Sequence, residues 1–125
     1  MIKENINVVE KVWGFEHWLV NREYCGKMLI VDEGATCSYH RHLKKTETFY
    51  CPSGRVKLTI DDEEYDLNPF ARPKTIIAGE FHKFHALEPS LILEISTHHE
   101  DDDVERVTES IAGIKNDSNE DTIPY

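Results

Sequence analysis

The stretch from Gly34 to Gly54 constrains this chain more than any other, and it reads G-ATCSY-H-R-H-LKKT-E-TFYCPS-G. His40 and His42 are separated by one residue, Glu47 follows five positions later, and a glycine stands at each end. In an extended strand the side chains at i and i+2 share a face, so Ser38, His40 and His42 are expected to look one way. Two imidazoles side by side, with a carboxylate from the next strand, supply three legs of a divalent metal site. The glycines permit the tight turns that fold neighbouring strands back onto this one.

The rest of the chain reads as short strands between turn residues. Strands are expected at 16–21, 27–32, 36–42, 46–51, 55–60, 64–67, 75–78, 82–87 and 91–97. The run KMLIVD at 27–32 is apolar enough to be buried on both faces. In 55–60 the alternation puts Val56, Leu58 and Ile60 inward. Turns fall at 21–23, Glu33-Gly34, 52–54, an acidic tip at 61–64, Gly79 and Pro89-Ser90, and 68–74 reads as a loop. Many short strands at this spacing argue an antiparallel sandwich or jelly roll. Residues 1–12 read as polar apart from Val8-Val9, and 104–112 as a short helix ended by Gly113. The chain divides into one β-barrel domain, 1–112, and an acidic flexible tail, 113–125.

A length of 125 residues suits one core. The net charge of -10 is uneven: residues 100–125 hold nine acids against Arg106 and Lys115, and five more acids sit in 61–66. The remainder is slightly basic, with no basic stripe, so nucleic acid is not an expected partner. No apolar run is long enough for a membrane span or for the core of a signal peptide. Three cysteines, Cys25, Cys37 and Cys51, form no C-x-x-C pair, which suits a reducing cytoplasm.

The stretch from Gly34 to Gly54 resembles the first motif of the cupin superfamily: Gly, five residues, His-x-His, three or four residues, Glu, six residues, Gly. A second segment, 77–82, is similar to the second cupin motif, Pro-x-Gly-x-x-His, through Gly79 and His82. It departs at Ile77, in place of proline, and at Ala86, where the family pattern has Asn. The resemblance implies an all-β fold, a cupin-type antiparallel jelly-roll β-barrel. It also implies that His40, His42, Glu47 and His82 bind one divalent metal ion per chain (Zn, Mn, Fe, Co or Ni).

Trp13-Gly14 with Glu16, Leu93-Glu94-Ile95-Ser96, and Asp102-Asp103-Val104-x-Arg106 look like the small cupin domain of type II mannose-6-phosphate isomerases, over about residues 11–109. This implies an isomerase or related enzyme acting on a sugar or sugar phosphate, and a homodimer. The candidate bases are Glu94, which shares a strand face with Ile92 and Ser96, and Lys27. As an end-of-strand lysine, Lys27 otherwise reads as snorkelling to water. Lys44, Lys45 and Arg55 could hold a phosphate, although lysines in a loop are usually solvated. His85, His98 and His99 read as solvated, and Cys37 and Tyr39 as facing away from the metal. Two alternatives stay open: a cupin-type metal-dependent dioxygenase, and a non-catalytic cupin that binds a small ligand.

Overall fold

A computed structural model describes residues 1–115; the part of the expected tail at 116–125 lies outside the described residues. The described residues form strands and no helix, and so no helix long and apolar enough to cross a membrane. The strands are β1 (Asn7–Lys11), β2 (Gly14–Asn21), β3 (Tyr24–Val31), β4 (His40–Arg41), β5 (Glu47–Ser53), β6 (Val56–Ile60), β7 (Glu63–Leu67), β8 (Lys74–Ile76), β9 (His82–Ala86), β10 (Ser90–Thr97) and β11 (Glu105–Arg106). They build two antiparallel sheets, one in the order β1-β2-β3-β10-β5-β8 and one in the order β11-β4-β9-β6-β7.

Alternation along the strands decides which residues meet between the sheets. Glu47, Phe49 and Cys51 of β5 are buried, as are His82, Phe84 and Ala86 of β9. The shared core takes Leu29, Val31, Phe49, Cys51 and Ile92 from the larger sheet and Val56, Leu58, Phe84 and Ala86 from the smaller. Each such large apolar side chain contributes about 1.5–3 kcal/mol on burial. β3 is buried on both faces because its other side chains, Met28 and Ile30, join Leu91, Phe15, Leu19 and Leu93 in a second cluster. The inward rows change character along the barrel. Val31, Cys51 and Ala86 are apolar, whereas Lys27, Glu47, His82 and Glu94 gather polar groups.

The turns follow their residues. Gly34 and Gly54 take φ of 79° and 95°, the left-handed region that side-chain-bearing residues avoid. Asp61 and Asp62 also have positive φ (45° and 70°), and Ile60 pairs with Glu63 across them. The acidic tip is thus a two-residue hairpin turn of the primed kind, which aspartate tolerates.

Three expectations are corrected. Residues 7–11 form β1, which pairs with β2 and was hidden in the sequence because an exposed edge strand carries little apolar alternation. The histidine strand is short: only His40–Arg41 lie in the ladder. Residues 104–112 are not helical. β11 pairs with β4, Ile111 bonds to Thr36, and Ile114, inside the expected tail, donates to Glu33 O at 2.8 Å. So short a helix has little stability of its own, whereas in this conformation the segment satisfies the bare edge of the histidine strand.

Candidate metal centre

β4 and β9 pair at one register position, His40 opposite His82. That pairing sets the two rings 4.4 Å apart between centroids, with His42 at 5.0 Å from His40 and 5.6 Å from His82. One nitrogen from each ring falls within 4.8 Å of the others. Glu47, at the start of β5, faces them from the other sheet. Its Oε1 lies 3.1 Å from His82 Nε2 and its Oε2 3.6 Å from His42 Nε2.

Each ring is oriented by the backbone. His40 Nδ1 donates to Ser38 O (2.6 Å), His42 Nδ1 to Asp103 O (2.7 Å), and His82 Nδ1 to Glu80 O (3.0 Å). A carbonyl only accepts, so Nδ1 carries the hydrogen and, in the neutral ring, Nε2 keeps its lone pair. Burial, then the neighbouring His82, pushes His40 down to about 3. Burial lowers His42 as well. For His82 burial acts downward, but the Glu47 carboxylate outweighs it and the group is raised. Glu47 itself is depressed: burial raises it, and His82 and Lys45 more than offset that. Within the chain, His82 Nε2 faces only Glu47 Oε1, and Glu47 Oε2 is paired with Lys45 Nζ at 3.0 Å. Three lone-pair nitrogens and a carboxylate aimed at one another therefore fit a divalent cation of the zinc-to-manganese range.

Beside this cluster lies a second one, of charged side chains. Lys45 is only 4% exposed, and its Nζ sits 3.0 Å from Glu47 Oε2, 3.1 Å from Glu94 Oε2 and 3.1 Å from His99 Nδ1. Burial disfavours the Lys45 ammonium, but the two carboxylates outweigh it and keep the lysine protonated. Glu94 of β10 stands opposite Lys27 of β3 and Phe49 of β5. It is 4% exposed, and burial followed by the charge of Glu47 raises its pKa. Lys27, 1% exposed, lies 3.2 Å from Glu16 Oε1 and 4.2 Å from the Trp18 ring centroid. For Glu16, burial raises the pKa, but Lys27 and then Lys11 hold it below the ordinary carboxylate range. Both clusters open on one cavity of about 280 Å³, whose apolar lining includes Leu29, Phe49 and Phe84.

The structure thus brings together all six residues singled out in the sequence: His40, His42, Glu47, His82, Glu94 and Lys27. It moves others. Lys45 is not solvated; its place two residues before Glu47 in an extended segment was the available signal. Lys27 is buried in an ion pair rather than snorkelling. His99 is half-buried against Trp18. Cys37 lines the cavity instead of facing away. Lys44 is exposed and pairs with Glu100, and Arg55 pairs with Asp66 at 3.7 Å on the surface, so neither stands ready in the cavity for a phosphate.

No family model matches the chain. It is 30% identical over 113 residues to the D-lyxose/D-mannose isomerase of Thermosediminibacter oceani, covering 69% of this chain and 62% of that protein. It is 32% identical over 92 residues to the probable low-salt glycan biosynthesis epimerase Agl13 of Haloferax volcanii, covering 59% of each. The chain spans about six tenths of the length of these curated relatives. The structure of Pac13, a nucleoside dehydratase from Streptomyces, matches all of this chain and 99% of its own at TM-score 0.73 and 13% identity. The chain has the cupin fold.

The two departures from the second cupin motif have local explanations. Ile77 is exposed, and its N–H is held by Glu80 Oε1 at 2.7 Å, so the turn is closed by a side chain where the family uses proline. Ala86 is fully buried in the core, and its carbonyl accepts from Gly34 N at 2.8 Å.

Proposed function

We propose that this cupin is a metal-dependent enzyme that moves a proton between adjacent carbons of a sugar or sugar phosphate, as an aldose–ketose isomerase or a close relative of one. The observation that carries this is the setting of Glu94. It is a buried carboxylate with raised proton affinity, joined through Lys45 to Glu47, the carboxylate that faces His42 and His82, beside a single cavity. Sugar as the substrate is supported by the names of the relatives, an isomerase of D-lyxose and D-mannose and a glycan-biosynthesis epimerase.

His40, His42, Glu47 and His82 would hold a divalent ion, which would supply Lewis-acid polarisation of the sugar carbonyl. Glu94 takes the proton from the carbon beside the carbonyl and returns it to the neighbouring carbon. A pKa raised above the ordinary carboxylate value suits both transfers. Lys45 holds Glu94 through Oε2 and balances the charge of Glu47. Of the two candidate bases the geometry favours Glu94, because Lys27 is engaged by Glu16 and the Trp18 ring. Lys27 and Lys45 are both paired with carboxylates, which favours an unphosphorylated sugar. The homodimer belongs to the same proposal: Phe15, Leu19 and Leu93, with the exposed Ile95, give the larger sheet an apolar outer face.

The test is solvent deuterium incorporation next to the carbonyl, over a panel of aldoses, ketoses and their phosphates, with metal-loaded protein. Exchange into at least one free sugar is expected. Exchange with none, together with metal-dependent oxygen uptake on another small molecule, refutes the isomerase.

A further inference from the structure

The strand bearing His40 and His42 would be a bare sheet edge without the segment that runs back along it. Glu105 and Arg106 pair with Arg41 and His40. Val107 N donates to Tyr39 O at 2.8 Å. The hydroxyls of Thr108 and Ser110 accept from the N–H groups of Tyr39 (2.9 Å) and Ser38 (3.0 Å). Ile111 exchanges two bonds with Thr36, and Ile114 reaches Glu33.

Past His42 the pairing stops and a single side chain replaces it. The Asp103 carboxylate accepts from three successive backbone amides: Leu43 at 2.8 Å, Lys44 at 3.1 and 3.2 Å, and Lys45 at 3.1 Å. Its backbone carbonyl accepts from His42 Nδ1 at 2.7 Å. Its own N–H donates to Glu100 O at 3.1 Å. Consecutive N–H groups converging on one anion form a nest; here the anion is a buried side chain of the same chain.

We propose that Asp103 is a positioning residue for the metal centre, its carboxylate fixing the loop between His42 and Glu47 and its carbonyl fixing the ring of His42. This rests on the metal reading given above. Residues 43–46 decide where Lys45 and Glu47 land relative to His42, and this short connection has no ladder of its own. Ordering its backbone costs conformational entropy, and bonds from neutral amides to a charged carboxylate are stronger than those between neutral groups and offset that cost. Water could satisfy the same three amides, but it would not tie them to the residue whose carbonyl orients His42.

The experiment compares the wild type with Asp103→Ala, Asp103→Asn and Thr108→Val. Three quantities are read: Zn(II) affinity by chelator competition, the His42 tautomer in the metal-free protein by long-range proton–nitrogen NMR, and thermal melting. Asp103→Ala should weaken Zn(II) binding about 10- to 100-fold, the range for partners that orient a metal ligand, and, although alanine keeps the backbone carbonyl, should take His42 partly out of the Nδ1–H form by releasing the 43–45 loop from the segment that carries it. Asp103→Asn keeps one acceptor oxygen and should fall between. Thr108→Val loses a bond to the same strand without touching the 43–45 amides, and should match the wild type in affinity and tautomer. Wild-type affinity and tautomer in Asp103→Ala, whatever its melting temperature, overturns the proposal, and so does an equal loss in Thr108→Val. If Asp103→Ala does not fold, Asp103→Asn against Thr108→Val decides by the same criteria. If the wild type binds no Zn(II), the metal reading falls, and the His42 tautomer alone then upholds or overturns the role of Asp103.

Discussion

On one side of the cavity three imidazoles are each held by a backbone carbonyl; on the other, charged side chains from four strands and a loop hold one another. In the histidine cluster, orientation comes from main-chain carbonyls just outside the strands, so His40, His42 and His82 present nitrogens whose hydrogens point away from the centre. In the charged cluster, Lys45 lies between Glu47 and Glu94, and Lys27 between Glu16 and Trp18. Removing one member there leaves the partner as an uncompensated buried charge. The first arrangement is suited to binding a cation, the second to holding and moving protons. They should therefore respond differently to substitution.

The largest contrast is in metal content. His40→Ala with His42→Ala should reduce one bound divalent ion per chain to none by elemental analysis of protein purified without chelator, whereas Lys27→Gln should leave the content unchanged. Unchanged metal in the double variant would erase the distinction between the clusters.

Next comes turnover. Glu94→Gln should lower it by roughly a hundredfold or more, as expected for loss of a general base, with metal content intact. A parallel loss of metal would place Glu94 in the histidine cluster instead.

Stability should separate two adjacent lysines. Lys45→Met leaves Glu47 and Glu94 facing each other in the interior and should destabilise by about 3 kcal/mol in denaturant unfolding. Lys44, which is 72% exposed, should be replaceable by Met with no shift in midpoint. Equal behaviour of the two would mean that the burial of Lys45 does not hold in solution.

The smallest effect depends on pH. Glu16 has a depressed carboxyl in the folded chain, so its contribution is present above the unfolded carboxylate pKa and is lost as pH falls through the folded value. Glu16→Gln should cost about 3 kcal/mol or less at pH 7, because Lys27 loses its partner. The gap from the wild type should close as acid protonates Glu16. A gap that stays constant down to acid pH would show that packing, not charge, makes the difference.

The histidine cluster was legible in the sequence because its information is local. The spacing of His40, His42 and Glu47 fixes which way they face once the segment is extended, and Gly79 and His82 add a second short pattern. The alternation of Val56, Leu58 and Ile60 and the acidic hairpin tip were legible for the same reason. The charged cluster was harder to read. Lys27 and Glu94 became neighbours through the β3–β10 register, across 67 positions of chain. Nothing near Lys45 in sequence tells that Glu94 lies beside it. Residues 104–112 were misread because their conformation is imposed by the edge they cover, not by their own propensity.

The sequence by itself therefore determined the β class and the inward face of strands with clear alternation such as 55–60, since strand periodicity and turn chemistry act over a few residues, and the resemblance to the two cupin motifs added the four candidate ligands. Only the tertiary structure decided which charges would be buried together, that burial beside Glu47 would raise the Glu94 pKa, and that the Asp103 carboxylate would accept from the loop beside His42. Burial and ion pairing depend on which strands become neighbours, and that is settled by the packing of the two sheets as a whole.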